Sequence, residues 1–188
     1  MTLTTIDPRT ALLLIDLQNG VVSLPSAHPI PLVVANAARL AASFRERGLP
    51  VVLVTVVGGA PGRTGVVRSA GGSRPADWAD LVPELDQQSG DHHVAKKTWG
   101  AFTATGLDDL LKGLGVTQVV IGGVSTSIGV ESTARQAYEH GYNVTLAVDA
   151  MTDSSAEAHE NSTTRIFPRL GETGSTEEVV ALLAAAAE

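Results

Sequence analysis

Short runs of apolar residues alternate along the chain with segments in which apolar residues recur every three or four positions. The runs at 11–15, 51–57 and 119–123 are too short to be helices and predict strands that are buried on both faces. Between the first two runs, apolar side chains at helical spacing predict a helix over 33–44. The opening of the chain therefore predicts a parallel β-α-β unit with a right-handed crossover.

The same alternation continues to the end of the chain, without an internal repeat or a linker. It predicts three further strands: one ending at the lysine pair 96–97, one over 144–148 that ends at Asp149, and a short one around 170–173. It also predicts four further helices: over 107–114, after the turn at 125–129, and after the capping-box spacings at 154–157 and 175–178. We therefore predict a single domain over 1–188, a doubly wound, Rossmann-like α/β fold of three layers whose mainly parallel sheet has five or six strands.

The stretch 119–138 joins an apolar strand, a turn that follows a glycine pair, and a helix with one apolar face. Such a turn at the carboxyl end of a buried strand brings backbone N–H groups and the positive end of a helix dipole to one place. A carboxylate or an oxyanion can be held there. The same pattern also fits an ordinary connection between a strand and a helix, so the turn is a candidate site.

Charged residues follow two of the predicted strands. Asp16 comes directly after the first strand, where open α/β sheets bind ligands, although a capping role fits the sequence equally well. Lys96 and Lys97 point to opposite sides of their strand, so at most one of them faces a site, and periodicity does not say which. His92 and His93 also point apart, which disfavours a shared metal ion.

The segment 58–76 lacks periodicity and is rich in glycine, serine, proline and arginine, which is typical of a binding loop or lid. Its Arg63, Arg68 and Arg74 suit a substrate that bears carboxylates if they point inward, and are ordinary solvated side chains if they do not. Trp78 either lines a pocket or covers the core.

Composition narrows the possible functions. The chain has 188 residues, 44% of them hydrophobic, and a net charge of −7 without charged blocks, which argues against a nucleic acid or an anionic membrane as partner. Because no cysteine is present, disulfides, thiolate metal sites and a cysteine nucleophile are excluded. The first residues lack the pattern of a signal peptide and no apolar run has membrane-spanning length, so we expect a cytoplasmic protein.

Three motifs can now be compared with known families: Asp16 in Leu-Leu-Ile-Asp-Leu-Gln-Asn, Lys96 in Lys-Lys-Thr-Trp-Gly-Ala-Phe, and Gly-Val-Ser-Thr-Ser-Ile-Gly-Val-Glu-Ser-Thr at 123–133. In order and spacing they resemble the isochorismatase-like hydrolases, a superfamily that includes nicotinamidases and carbamoylsarcosine amidohydrolases. The resemblance implies Lys96 rather than Lys97 as the site lysine, a cis peptide before Ser125, and a homo-oligomer. The substrate-binding residues that it implies, with the loop arginines, are Gln18, Trp99, Phe102, Ser125, Thr126, Val130, Arg63, Arg68 and Arg74.

One departure from the family pattern decides which chemistry the resemblance implies. Gly129 occupies the position at which the amidohydrolases carry their catalytic cysteine, so covalent catalysis through sulfur is excluded. Isochorismatases also have glycine there, and hydrolyse a vinyl ether with release of pyruvate. In that scheme Asp16 is the acid, Lys96 neutralises a substrate carboxylate and the turn amides from Ser125 to Val130 hold another, with neither metal nor cofactor.

That scheme contains an unresolved conflict, and two alternatives stay open. A neighbouring lysine lowers the pKa of Asp16, whereas a general acid must be protonated near neutral pH. The first alternative is an amide or ester hydrolase that uses the hydroxyl of Ser125, Thr126 or Ser127, although the sequence nominates no histidine as its base. The second is a ligand-binding protein without catalysis.

Overall fold

Six parallel strands form one sheet in the residues that the computed structural model describes, 3–65 and 75–185. In chain order they are β1 (Thr10–Ile15), β2 (Val51–Val56), β3 (His92–Lys96), β4 (Gln118–Val124), β5 (Asn143–Thr152) and β6 (Glu172–Gly174). Across the sheet the order is β3-β2-β1-β4-β5-β6. The strand order therefore switches direction at β1, which is where doubly wound sheets form a ligand crevice. The predicted doubly wound α/β fold is confirmed.

Helices connect the strands and cover both faces of the sheet. They are α1 (Asn19–Val22), α2 (Ile30–Glu46), α3 (Leu107–Gly113), α4 (Glu131–Glu139), α5 (Ala156–Asn161) and α6 (Thr176–Ala185). Tighter or wider helical turns lie at Pro83–Leu85, Thr126–Val130, Ser162–Ile166 and Phe167–Arg169. None of the helices within 3–65 and 75–185 is long and apolar enough to cross a membrane.

The two faces of β1 belong to two different layers of the core. Leu13 and Ile15 pack with buried residues of α3 and α4 on one face, whereas Leu12 and Leu14 pack with α2 and α6 on the other. All six residues of the strand are buried. A strand that is covered on both faces needs a continuous apolar sequence, which is why the run at 11–15 is recognisable.

The predicted end of β5 at Asp149 is wrong, because the strand continues to Thr152. Its register against β4 shifts between Ile121, which pairs with Leu146, and Gly123, which pairs with Met151. The extra β5 residues form an irregularity that turns Asp149 outward. There its carboxylate accepts hydrogen bonds from the backbone N–H (2.7 Å) and the hydroxyl (2.8 Å) of Thr176, so Asp149 holds the start of α6.

Capping signals mark helix starts with different accuracy. The predicted box at 175–178 is formed, because Ser175 N donates to Glu178 Oε2 at 2.7 Å and Glu178 N donates to Ser175 Oγ at 3.2 Å. At α5 the capping hydroxyl belongs to Ser155, which accepts from Ala158 N at 3.2 Å, one residue later than predicted.

Candidate active site

An aspartate and a lysine from different strands form an ion pair above the carboxyl end of β2. Asp16 follows β1 and Lys96 ends β3, and Lys96 Nζ lies 2.7 Å from Asp16 Oδ2. Asp16 has a left-handed backbone conformation with φ of 54°, which a non-glycine residue adopts only when its surroundings fix it. Its N–H donates to Val54 O of β2 at 2.8 Å, and its O accepts from Gln18 N at 2.9 Å.

The ammonium of Lys96 is enclosed by protein acceptors. Only 1% of the residue is exposed. Besides Asp16, Lys96 Nζ donates to Trp99 O at 2.7 Å and, more weakly, to Thr98 O at 3.4 Å. Three acceptors match the three N–H groups of an ammonium, so Lys96 holds Asp16 in place. The predicted contact between Lys96 and a substrate carboxylate requires the weakest of these bonds to be replaced.

The second carboxylate oxygen of Asp16, Oδ1, has different surroundings from Oδ2. Asp16 Oδ1 is buried and has no hydrogen-bond partner in the described part of the chain. Burial raises the pKa of Asp16 from an ordinary 3.8 to about 6, against the attraction and hydrogen bond of Lys96, which lower it. The effect of burial is therefore the larger one, and a greater fraction of Asp16 carries a proton at neutral pH than for an ordinary aspartate.

The turn after β4 passes directly beside Asp16. The peptide between Val124 and Ser125 is cis, as the resemblance implied. Ile128 N and Val130 N both donate to Ser125 O, at 3.2 and 3.1 Å, which closes a wide helical turn over Thr126–Val130. Ser127 N donates to Asp153 Oδ2 at 2.7 Å. Three of the turn amides that were expected to hold a carboxylate are therefore engaged within the protein.

Gly129 faces the Asp16 carboxyl group across a narrow space. A Cβ atom at this position would lie 3.0 Å from Ile15 Cγ2 and 3.2 Å from Asp16 Oδ2. Any side chain at position 129 would therefore start beside the carboxyl group, so the glycine leaves space next to Asp16.

A cavity of about 430 Å³ opens above these groups. Asp16, Lys96, Ser125 and Gly129 line it together with residues that are mainly apolar or glycine: Val21, Val56, Gly58, Gly59, Trp78, Thr98, Trp99, Val124 and Ile128. Its size suits a small organic molecule. The cavity therefore combines a mainly apolar lining with one acid–ammonium pair.

Comparison with known proteins shows the family of the chain. The model of the isochorismatase domain matches residues 10–178. The chain belongs to the isochorismatase family. The isochorismatase family protein YwoC of Bacillus subtilis is 42% identical over 176 residues, which cover 90% of this chain and 92% of YwoC.

Two other relatives of the chain differ in their sequence identity to it and in their named activity. A solved structure of an isochorismatase family protein from Burkholderia thailandensis matches with a TM-score of 0.85 and 42% identity, covering 96% of this chain and 98% of that one. The ureidoacrylate amidohydrolase RutB of Pseudomonas syringae is 28% identical over 180 residues, covering 79% of this chain and 72% of RutB. Members of the isochorismatase family are hydrolases, and their substrates differ.

The structure brings only some of the predicted site residues of this isochorismatase family member to the cavity. Asp16, Lys96, Gly129, Ser125 and Trp99 line it. The side chains predicted to bind substrate that lie elsewhere among the described residues are Gln18, Thr126, Val130, Phe102 and Arg63; the first four are buried, and Arg63 is exposed. Arg68 and Arg74 lie outside the described residues.

Gln18 does not line the cavity, and its amide contacts backbone groups of two other segments. Its Oε1 accepts from Val56 N at 2.7 Å, and its Nε2 donates to Val56 O at 3.2 Å and to Trp78 O at 3.3 Å. The side chain therefore ties the end of β1 to the end of β2 and to the segment that carries Trp78. Gln18 supports the cavity wall and is not exposed to its contents.

Trp78 is a lining residue that the sequence left undecided. Its ring packs over Gly20, where any Cβ atom would overlap the ring. No local sequence pattern indicated this contact, because Gly20 and Trp78 are 58 positions apart in the sequence. Ile128, in the turn, was also missed as a lining residue, since an exposed apolar side chain has no local signal of a site.

Proposed function

We propose that this member of the isochorismatase family hydrolyses the vinyl ether of a small carboxylated substrate, isochorismate or an analogue, and releases pyruvate. Asp16 is the general acid, and the reaction needs neither a metal ion nor a covalent intermediate. The observation that carries the proposal is the buried Asp16 carboxyl group, whose pKa burial raises to about 6 and whose Oδ1 lacks a partner within the described residues.

The chemistry that follows is a proton transfer and a hydration. Protonated Asp16 gives its proton to the methylene carbon of the enol ether, which leaves an oxocarbenium ion on the substrate and a carboxylate on Asp16. Lys96, 2.7 Å from Oδ2, stabilises the carboxylate as it forms. Water adds to the cation and returns a proton to Asp16, and the hemiketal then breaks into pyruvate and an alcohol. Gly129 leaves room for the methylene group beside the acid.

Pyruvate release from isochorismate, followed by a coupled lactate dehydrogenase assay, tests the proposal directly. The Asp16→Asn variant keeps a polar side chain of the same shape but has no acidic proton, so we expect turnover to fall by at least about a thousandfold while ligand binding persists. Asp109→Asn is the matched control, because Asp109 is exposed on α3. Absence of pyruvate at high enzyme concentration, or a near wild-type rate for Asp16→Asn, contradicts the proposal.

A hydroxyl nucleophile receives less support from the geometry. Thr126 is fully buried and Ser127 Oγ donates to Asp153 Oδ2 at 2.8 Å, so neither hydroxyl is available in the cavity. Ser125 does line the cavity, but no histidine or carboxylate of the described residues is hydrogen-bonded to it. A covalent adduct of Ser125 with a serine-directed phosphonate, found by mass spectrometry, would nevertheless establish the amide or ester hydrolase.

The non-catalytic alternative makes a different prediction. A ligand-binding protein would show a rise in melting temperature with small carboxylated molecules but no turnover in a broad substrate screen. The isochorismate assay, the phosphonate adduct and a thermal-shift screen together therefore separate the three functions.

A further inference from the structure

A cluster of two histidines and two threonines lies next to the turn, and none of its four residues lines the cavity. Thr126 Oγ1 is 2.8 Å from His159 Nδ1 of α5. The rings of His159 and His28 are in contact, with centroids 4.5 Å apart. His28 Nδ1 in turn lies 2.9 Å from Thr152 Oγ1 at the end of β5. The cluster thus joins the turn, α5, β5 and the segment before α2, and the proposed reaction uses none of its side chains.

Thr126 is the link between this cluster and the cavity. It lies directly after Ser125 and three residues before Gly129, and both of these residues line the cavity. Thr126 itself is fully buried and does not line the cavity. A buried hydroxyl without a partner is destabilising, so the bond to His159 favours the observed position of the turn over any position that breaks it.

The surroundings of His159 favour the neutral ring. Burial lowers its pKa, and so does the neighbouring His28, whereas Asp153 acts in the opposite direction. The ring contacts the ring of His28 and the hydroxyl of Thr126 directly. A neutral ring with its proton on Nε2 accepts the hydroxyl hydrogen of Thr126 at Nδ1.

We infer that His159 is a positioning residue of the active site, which holds Thr126 and thereby fixes Ser125 and Gly129 beside Asp16. Asp153 holds the same turn at the next residue through Ser127, so the turn has two points of attachment, both through residues that do not line the cavity. The consequence for catalysis rests on the proposed function, whereas the consequence for the turn does not.

Hydrogen exchange tests the turn independently of any substrate. His159→Leu fills the space without an acceptor, and we expect the amides of Ser127, Ile128 and Val130 to exchange at least about tenfold faster than in the wild type. Thr126→Val removes the other half of the same bond with little change in shape and should give the same increase. In His159→Asn, the amide oxygen takes the place of Nδ1, so the wild-type exchange rate should return.

The double variant Thr126→Val/His159→Leu should exchange no faster than either single variant, because both substitutions remove one bond. His92→Leu, a matched substitution on the edge strand β3, should leave the turn unchanged. Unchanged exchange rates in both His159→Leu and Thr126→Val overturn the inference. Exchange in His159→Asn that is as fast as in His159→Leu overturns it too. If His159→Leu fails to fold, Thr126→Val decides alone.

Kinetics then test the effect on the site. On isochorismate, His159→Leu should raise KM about tenfold and change kcat less than about threefold, because the turn borders the substrate while the acid stays in place. A lowered melting temperature with unchanged KM would assign His159 a structural role and contradict the inference. If the wild type releases no pyruvate, the proposed function fails, and the exchange data still decide the position of the turn.

Discussion

The pH dependence of turnover gives the sharpest test of Asp16. Because the acid must be protonated, the rate should follow the fraction of protein in which Asp16 carries its proton. With a pKa of about 6, roughly 9% of Asp16 is protonated at pH 7, against roughly 0.06% at the ordinary value of 3.8. The net upward shift therefore increases the protonated fraction at pH 7 about 150-fold.

The expected profile has one limb above neutrality. We expect kcat/KM to be level below about pH 5.5 and to fall close to tenfold for each pH unit above about 6.5. The assay is pyruvate release at low substrate concentration in buffers of constant ionic strength, with the Asp16 carboxyl group titrated separately by ¹³C NMR. A rate that stays level or rises between about pH 6.5 and 8.5 would refute the assignment of Asp16 as the acid.

The same pKa shift affects the free energy of unfolding. Because the pKa is higher in the folded protein than in the unfolded chain, the folded state binds more protons between about pH 4 and 6. The contribution of Asp16 to stability is therefore fully present below about pH 4 and is lost as the pH rises through about 6. At about 1.4 kcal/mol per pKa unit, the loss is about 3 kcal/mol, which denaturant unfolding of the wild type and of Asp16→Asn should reveal.

Three further substitutions test other parts of the site and the sheet. Gly129→Ala places a methyl group 3.2 Å from Asp16 Oδ2, so kcat/KM should fall at least about tenfold. The free energy of unfolding should change by less than about 1.5 kcal/mol. An unchanged rate would show that the substrate does not use this space. Lys96→Met removes the two effects that lower the Asp16 pKa, so the basic limb of the rate profile should move up by at least about one pH unit, and a downward movement would contradict this. Gly123→Ala should lower the free energy of unfolding by more than about 3 kcal/mol in chemical denaturation, because φ is +123° and a Cβ would overlap the backbone of β1. Gly90→Ala is the control, and it should leave the free energy of unfolding nearly unchanged because a Cβ there meets open space.

The central strands could be predicted from the sequence because their environment is uniform. Residues 11–15 and 119–123 are buried on both faces, so an apolar run is a sufficient signal, and the fold class follows from its alternation with helices. The end of β5 could not be predicted in this way. Asp149 looks like a strand end because it is charged, but a register irregularity directs it to the start of α6.

The chemistry of the site was only partly visible in the sequence. Asp16 and Lys96 are 80 residues apart, and their contact depends on the order of β1, β2 and β3, which local patterns do not contain. The two opposing effects on the Asp16 pKa, burial and the neighbouring lysine, could not be compared without the structure, in which burial raises the pKa more than Lys96 lowers it. The motif around Gln18 suggested a substrate contact, and in the structure its amide bonds to backbone groups of Val56 and Trp78, which no local pattern indicates.

The position of β1 in the middle of the sheet also affects how the chain can fold during synthesis. Its partner on one side is β2, which follows closely, but Thr10 on the other side pairs with Gln118, more than a hundred residues later. Until β4 has left the ribosome, one edge of β1 lacks its partner strand and the apolar side chains beside that edge stay exposed. Asp16 also lacks the turn that follows β4. A nascent chain truncated before residue 118 should therefore bind chaperones and aggregate, while extension past the turn should allow the domain to close.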